Sequence, residues 1–248
     1  MITIVQPNRT LRRIASSIVL GLVWTGPLVA QTEATPHTAA SSVLKATFQT
    51  SLGTIRNVGT GFLLESPDGV PVFVTALHVF GPPGGLPEWV AGTDLPDLVE
   101  SATLTDAFTL RTVGHVVGVV PTPRASLPTI EGGEPGRDFA VFRIADGAVS
   151  ALKPAVGQDS ELWIVSPGLP EGNPLRVSRV AGPPHFVSVE IPEDLELPFG
   201  ISGSPIVTGV GEAVALVAML GRGPNGERVI HATPIQAVVE ALGGDSDP

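Results

Sequence analysis

Between residues 43 and 230 the sequence consists of short apolar or alternating runs broken by glycine and proline, and this pattern constrains the fold most strongly. The 248-residue chain contains 29 Gly and 25 Pro, and no long stretch repeats apolar residues with the helical period of about 3.6 residues. About twelve runs have the length and composition of β-strands. The sequence therefore predicts an all-β fold, either two packed barrels or a large sandwich.

One hairpin and one helix are predicted with particular clarity. The Pro-Asp-Gly sequence at residues 67–69 separates two apolar runs, and this composition is typical of a tight turn, so residues 61–75 are expected to form a hairpin. Near the end of the chain, Thr233 is a candidate N-cap, Pro234 suits the first helical position, and Gly243 is a stop signal. A helix is therefore expected to close the domain.

The first 30 residues have the composition of an export signal. Three arginines precede a mostly apolar run of 17 residues at 14–30, which ends in small residues suited to cleavage. The run is short for a membrane span and contains Gly26 and Pro27, so we expect a signal peptide rather than a stable span. The protein is then secreted or periplasmic, and residues 31–42 are expected to form a flexible lead-in because they are polar and aperiodic.

Charge and cysteine content exclude several classes of function. The net charge of −10 and the pI near 4.9 disfavour a nucleic-acid partner, because no basic stripe offsets phosphate charge. With no cysteine, the chain has no disulfide, thiol nucleophile or thiolate zinc site. The five histidines lack the spacing of a metal site, so no metal is expected.

A serine between two glycines is the first candidate for chemistry. Ser202 lies in the sequence FGISGSP at residues 199–205, where Gly200 and Gly203 allow positive φ and a close approach of the backbone to a substrate. A tight bend there would direct the amides of Gly200 and Ser202 toward one point, as an oxyanion hole requires. An ordinary Gly/Ser/Pro loop between strands is the alternative.

A histidine and an aspartate occur upstream, each at the edge of an apolar run. His78 ends the sequence TALH at residues 75–78, and Asp138 precedes the apolar run at 139–142. Taken alone, His78 is more typical of a structural histidine and Asp138 of a loop carboxylate. Together, they suit a base whose imidazole is oriented by a carboxylate. Asp106 is the competing carboxylate, but it is expected in the middle of a strand beside polar threonines.

In their order, these motifs resemble the trypsin-like serine peptidases of the chymotrypsin fold, in particular the cysteine-free bacterial type. The similarity extends over residues 43–242 and includes the sequence GTGF at residues 59–62. It implies two six-stranded antiparallel β-barrels with a C-terminal helix. The first barrel would span residues 43–150 and supply the catalytic His78 and Asp138. The second would span residues 151–248, supply Ser202, and form the oxyanion hole from Gly200 and Ser202.

The resemblance implies a serine endopeptidase that acts on protein or peptide substrates through an acyl-enzyme and needs no cofactor. The alternative is a peptidase-fold module that has lost catalysis and binds peptides or a partner protein. An α/β-hydrolase is disfavoured because its catalytic residues follow a different chain order. Pancreatic-type members carry an aspartate where this chain has Ile201, and that aspartate pairs with a newly cut N-terminal amine. Ile201 cannot form this pair, so no activation cleavage of that kind is expected.

The candidate substrate pocket involves residues on both sides of the serine. In relatives, the position six before the serine forms the pocket floor and a later strand forms its wall, which here correspond to Glu196 and to Ala218 and Met219. A buried Glu196 would favour Lys or Arg in the substrate, whereas His231 on the strand behind would favour an acidic side chain or neutralise Glu196. We predict an apolar pocket of modest size, with Glu196 on the surface.

Overall fold

The computed structural model describes residues 35–56, 58–127, 135–145, 150–157 and 161–243, which all belong to one compact unit. Thirteen strands in this described part form two sheets. The strands of the first sheet are β1 (Val43–Thr50), β2 (Gly53–Arg56), β3 (Gly61–Glu65), β4 (Pro71–Thr75), β5 (Val99–Asp106), β6 (Thr112–Val120) and β7 (Ala140–Ile144). Those of the second are β8 (Glu161–Ile164), β9 (Leu175–Val180), β10 (Val187–Glu190), β11 (Pro205–Thr208), β12 (Ala213–Arg222) and β13 (Arg228–Pro234).

Both sheets close into antiparallel barrels. The first has the order β2-β1-β3-β4-β7-β6-β5, and β5 also pairs with β1, so six strands form a ring with β2 outside it. The second is a closed barrel with the order β10-β13-β12-β11-β8-β9. The expected hairpin is confirmed: Gly61 lies opposite Thr75, and Gly69 has the φ of 75° that its turn requires. The predicted fold class, two six-stranded barrels in an all-β protein, is confirmed.

Successive side chains of a strand point to opposite faces of its sheet, so one face of each strand lies inside a barrel. In the first barrel the rings of Phe48, Phe80 and Phe142 pack against one another, with centroids 4.8 to 5.8 Å apart. The core of the second barrel consists of aliphatic side chains such as Leu162 and Ile230. Since the chain has no disulfide, this apolar packing is the main source of its stability.

Three short helices complete the described part: α1 (Pro36–Ala39), α2 (Leu95–Leu98) and α3 (Ile235–Gly243). The predicted C-terminal helix is confirmed as α3, but its predicted start is wrong. Thr233 and Pro234 end strand β13, where they lie opposite Leu216 and Ala215 of β12. Strand pairing thus extends to the residue before the helix, and a proline is tolerated at that strand end because it needs no donor there.

The N-terminal predictions fall largely outside the described residues. The signal peptide at residues 1–30 lies there entirely. Within the expected flexible lead-in, residues 36–42 instead form α1 and a 3₁₀ turn, with Ala39 and Ser42 buried. The Ser42 hydroxyl donates to the Ser150 carbonyl at 2.7 Å, so this segment is part of the folded unit. None of the helices in the described ranges is long and apolar enough to span a membrane.

Candidate active site

Strand register brings His78 and Asp138 together. Strands β4 and β7 are antiparallel neighbours, and Thr75 at the end of β4 lies opposite Ala140 at the start of β7. The residues that follow β4 and those that precede β7 therefore meet at the same edge of the first barrel. His78 lies in a 3₁₀ turn three residues beyond β4, and Asp138 lies two residues before β7.

Asp138 holds His78 at two points. Its Oδ2 lies 2.6 Å from Nδ1 of the imidazole, and its Oδ1 accepts the backbone N–H of His78 at 2.9 Å. The carboxylate is completely buried, whereas 14% of the histidine side chain is exposed. A carboxylate beside Nδ1 favours the tautomer with its proton on Nδ1, in which Nε2 is able to accept a proton as a general base.

The other candidate carboxylate, Asp106, serves a different purpose. It is the last residue of β5, not a mid-strand residue as expected, and its Oδ1 accepts the backbone N–H groups of Phe108 and Thr109 at 3.0 and 2.6 Å. Burial alone would raise the pKa of Asp106, but these hydrogen bonds and the nearby Arg111 charge outweigh burial and lower it. Asp106 therefore stabilises a turn.

The turn that carries Ser202 precedes β11 and contacts the first barrel. The Ser202 carbonyl accepts the backbone N–H of Thr60 at 2.8 Å. Gly203, with φ of 82°, packs so closely that a Cβ there would lie 2.8 Å from the Thr75 hydroxyl and 3.0 Å from the Ala76 nitrogen, and closer still to the Thr60 carbonyl oxygen. Only glycine fits this position. The backbone after Ser202 thus lies against the segment that leads into His78.

Burial distinguishes the two serines of the turn. Ser202 is partly exposed, whereas Ser204 is completely buried and its hydroxyl has no hydrogen-bond partner among the described residues. A substrate in solution therefore has access to Ser202 and not to Ser204.

The backbone amides of the same turn divide into two groups. Those of Ile201, Gly203 and Ser204 donate to the carbonyls of Pro198, Val217 and Ile201, respectively, at 3.3, 2.8 and 2.9 Å. The amides of Gly200 and Ser202 donate to no residue of the described part.

The turn thus leaves two backbone donors, separated by one residue, without an internal acceptor. Gly200 has φ of 83°, a conformation that a residue with a side chain rarely adopts. Two such donors beside a serine are able to stabilise a developing oxyanion.

Thr60 is a positioning residue that sequence reasoning missed. Its hydroxyl donates to the Gly200 carbonyl at 2.7 Å across the boundary between the barrels, and its own carbonyl accepts the Thr75 hydroxyl at 2.7 Å. The GTGF motif contained Thr60, but only the fold shows which carbonyl it binds.

The predicted substrate residues fall into different environments. Val217 exchanges backbone hydrogen bonds with Gly203 and Ser204, so Ala218 and Met219 follow directly beside the Ser202 turn. Ala218 is buried and Met219 is half-buried. The side chain of Glu196 is exposed in the loop before the turn.

His231 lies opposite Met219 in the β12–β13 ladder and is buried. Its Nδ1 is 2.8 Å from the Ser188 hydroxyl, and its ring lies 5.8 Å from that of Phe186. Burial lowers the pKa of His231, because the charged imidazolium would lose its hydration. Among the residues that the structure describes, no group of three His, Asp or Glu side chains is arranged to hold a metal ion.

Known structures resemble the fold of this chain. The thermostable serine protease AL20 from an extremophilic microorganism superimposes with a TM-score of 0.51 at 14% identity, over 83% of this chain and 99% of that one. The Rv3671c protease from M. tuberculosis matches with a TM-score of 0.48 at 16% identity, over 97% of this chain and 96% of that one. No protein-family model and no curated protein matches the chain. With its two closed barrels and the similarity to AL20, the chain has the fold of the chymotrypsin-like serine proteases.

Proposed function

We propose that this protein is an exported serine endopeptidase that uses His78, Asp138 and Ser202. The observation that carries the proposal is the 2.6 Å contact between His78 and the buried Asp138, at the barrel edge against which the Ser202 turn packs. The two unused amides of that turn supply the electrostatic part of the mechanism. Export is supported by the composition of residues 1–30.

In the proposed mechanism the Ser202 hydroxyl attacks the scissile carbonyl while Nε2 of His78 takes its proton. Asp138 keeps the other imidazole proton on Nδ1 and stabilises the imidazolium. The amides of Gly200 and Ser202 bind the oxyanion of the tetrahedral intermediate, and each such donor contributes on the order of 3 kcal/mol in other enzymes. His78 then passes its proton to the leaving amine. A water molecule, deprotonated by His78, hydrolyses the acyl-enzyme in the same way.

Covalent labelling with a fluorophosphonate tests this proposal directly. The wild-type protein is expected to be labelled and to hydrolyse a fluorescein-labelled casein, and Ser202→Ala should lose both reactions while keeping its melting temperature. Ser204→Ala is the matched control, since it removes a hydroxyl two residues away that is buried. Absence of labelling in the wild type would favour the alternative, a peptidase-fold module that binds peptides or a partner protein without cleaving them.

We further propose an apolar substrate pocket of modest size beside Ala218 and Met219. The exposure of Glu196 supports this, because a solvated carboxylate does not select a basic side chain inside a pocket. The contact of His231 with Ser188 leaves that ring engaged within the second barrel. Cleavage of a peptide library should show small or medium apolar residues before the scissile bond. A dominant preference for Lys or Arg that disappears in Glu196→Gln would contradict the proposal.

Activation by cleavage at the N-terminus is not part of the proposed function. Ile201 is buried in the apolar cluster of the second barrel, where it holds the turn without a charge pair. An N-terminal extension left on the protein should therefore not lower its activity.

A further inference from the structure

The loop before the Ser202 turn is connected to the second barrel through few polar contacts. The last ladder bond after β10 runs from the Ile191 N–H to the Arg228 carbonyl at 3.0 Å. From there to Gly200 the backbone forms no strand. Its internal backbone bond joins the Leu195 N–H to the Pro192 carbonyl at 3.2 Å. A segment with so little backbone pairing needs other contacts to hold one conformation.

Two arginines provide these contacts. The guanidinium of Arg228, on β13, donates through Nη1 to the carbonyls of Leu195 and Glu193, the second at 3.4 Å. Arg222 lies opposite Arg228 in the β12–β13 ladder, and its Nη1 donates to Glu193 Oε1 at 2.5 Å. Both arginines lie on the strand pair that borders the candidate substrate pocket.

The far end of the loop is held by packing and by the bond from the Ile201 N–H to the Pro198 carbonyl. Leu197 packs against the apolar cluster of the second barrel, to which Ile201 belongs, and Pro198 lies directly against Gly168. Four residues separate Leu195 from Gly200, whose amide is one of the two free donors. The segment between them is short, and its contacts with the barrel come from Leu197 and Pro198, because Glu196 and Phe199 are exposed.

We propose that Arg228 is a positioning residue that holds this loop so that the amides of Gly200 and Ser202 face the oxyanion. This inference rests on the proposed peptidase function. Arg228 would then do, within the folded chain, what a new N-terminal amine does in the pancreatic-type relatives. Bonds from a guanidinium to two carbonyls suit this role, because its donors have a fixed geometry.

Arg228→Gln tests the assignment, with Arg143→Gln as its matched control. Arg143 is an exposed arginine of β7 in the first barrel, and it does not line the cavity beside Arg228. We expect the rate of fluorophosphonate labelling to fall about tenfold in Arg228→Gln, less than the loss seen when an oxyanion donor is deleted outright. The control should label at the wild-type rate. A wild-type labelling rate in a folded Arg228→Gln protein would overturn the proposal.

Chemical rescue distinguishes positioning from a general loss of structure. A cavity of about 490 Å³, lined in part by Pro192, Glu193 and Arg228, borders the two arginine contacts, so Arg228→Ala would leave room for methylguanidinium beside the loop. Added methylguanidinium should restore labelling of Arg228→Ala and leave the control unchanged. If Arg228→Gln does not fold, Arg228→Lys replaces it. Lysine keeps the charge but not the fixed donor geometry, so labelling should still fall, and an unchanged rate would overturn the proposal.

Hydrogen exchange separates failure of this inference from failure of the proposed function. Amides of residues 193–201 should exchange faster in Arg228→Gln than in the wild type, while those of the first barrel keep their protection. Should the wild type itself resist labelling, the peptidase proposal is wrong. Faster exchange in this loop would then still support the role of Arg228 in ordering it, and unchanged exchange would contradict that role.

Discussion

The two halves of the candidate active site are held by different kinds of structure. The His78–Asp138 half lies at the ends of two paired strands of one barrel, and its carboxylate is completely buried. The Ser202 half lies on a turn whose position depends on contacts from several separate elements, including Thr60 in the other barrel. A backbone ladder thus determines the first half, whereas side chains and close packing determine the second.

This difference predicts how each half responds to mutation. A ladder is maintained by many cooperative bonds, so a single substitution in the first half should alter chemistry more than position. In the second half each contact comes from a separate element, so the loss of one contact should shift the oxyanion donors while the other contacts remain. The Phe-rich core of the first barrel contributes to the same contrast, since His78 follows a strand packed into it.

Asp138→Asn should have the largest effect in the first half, with a decrease in kcat of about 10⁴-fold. The amide group has nearly the shape of the carboxylate and keeps an oxygen for the His78 N–H. Its NH₂ group would face Nδ1, however, and force the imidazole into the wrong tautomer. Steady-state hydrolysis of the fluorescent casein, together with circular dichroism to establish the fold, measures this.

Asp106→Asn is the matched control for that substitution. It weakens a turn in the β5–β6 connection and should leave kcat within about twofold of the wild type, because the Asp106 carboxylate bonds only to Phe108 and Thr109 of that turn among the described residues. A large loss of activity in Asp106→Asn with little in Asp138→Asn would reverse the roles of the two carboxylates.

Thr60→Val tests the second half and should have an intermediate effect. Valine matches threonine in shape but leaves the Gly200 carbonyl without its donor, at a cost of about 1–3 kcal/mol if the group stays buried. We expect kcat to fall about tenfold as the Gly200 peptide reorients, with little change in KM. Equal losses in Thr60→Val and Asp138→Asn would mean that the two halves do not differ as described.

Thr54→Val is the appropriate control for Thr60→Val. The exposed Thr54 hydroxyl donates to Gln49 Oε1 at 2.8 Å, a contact between β2 and β1 that involves neither His78 nor the Ser202 turn. Its loss should leave both kcat and KM unchanged.

The sequence predicted the first half of the site more completely than the second. An apolar run that ends in His78 and another that begins after Asp138 already placed both residues at strand ends. The contacts of Thr60 and Arg228 were not predictable, because each joins a side chain to a backbone carbonyl that is far away in the chain. Since every residue has a backbone carbonyl, the sequence does not indicate which one is the acceptor. The start of the last helix was misplaced because strand pairing outweighed the local capping preference of Thr233.

His231 provides the smallest test, in a part of the second barrel that the proposed chemistry does not use. Burial lowers the pKa of His231 in the folded state, so the unfolded chain binds a proton at a pH where the folded protein does not. The stability associated with the neutral ring is complete above a pH of about 6.5 and is lost as the pH falls toward the lowered pKa.

The free energy of unfolding, measured with urea, should therefore decrease less between pH 7 and pH 5 in His231→Gln than in the wild type. Parallel pH profiles for the wild type and His231→Gln would show that the ring is not held in a desolvated neutral form. A change in the pH profile of kcat would instead show that His231 takes part in the chemistry. The second barrel would then contribute to catalysis beyond the Ser202 turn.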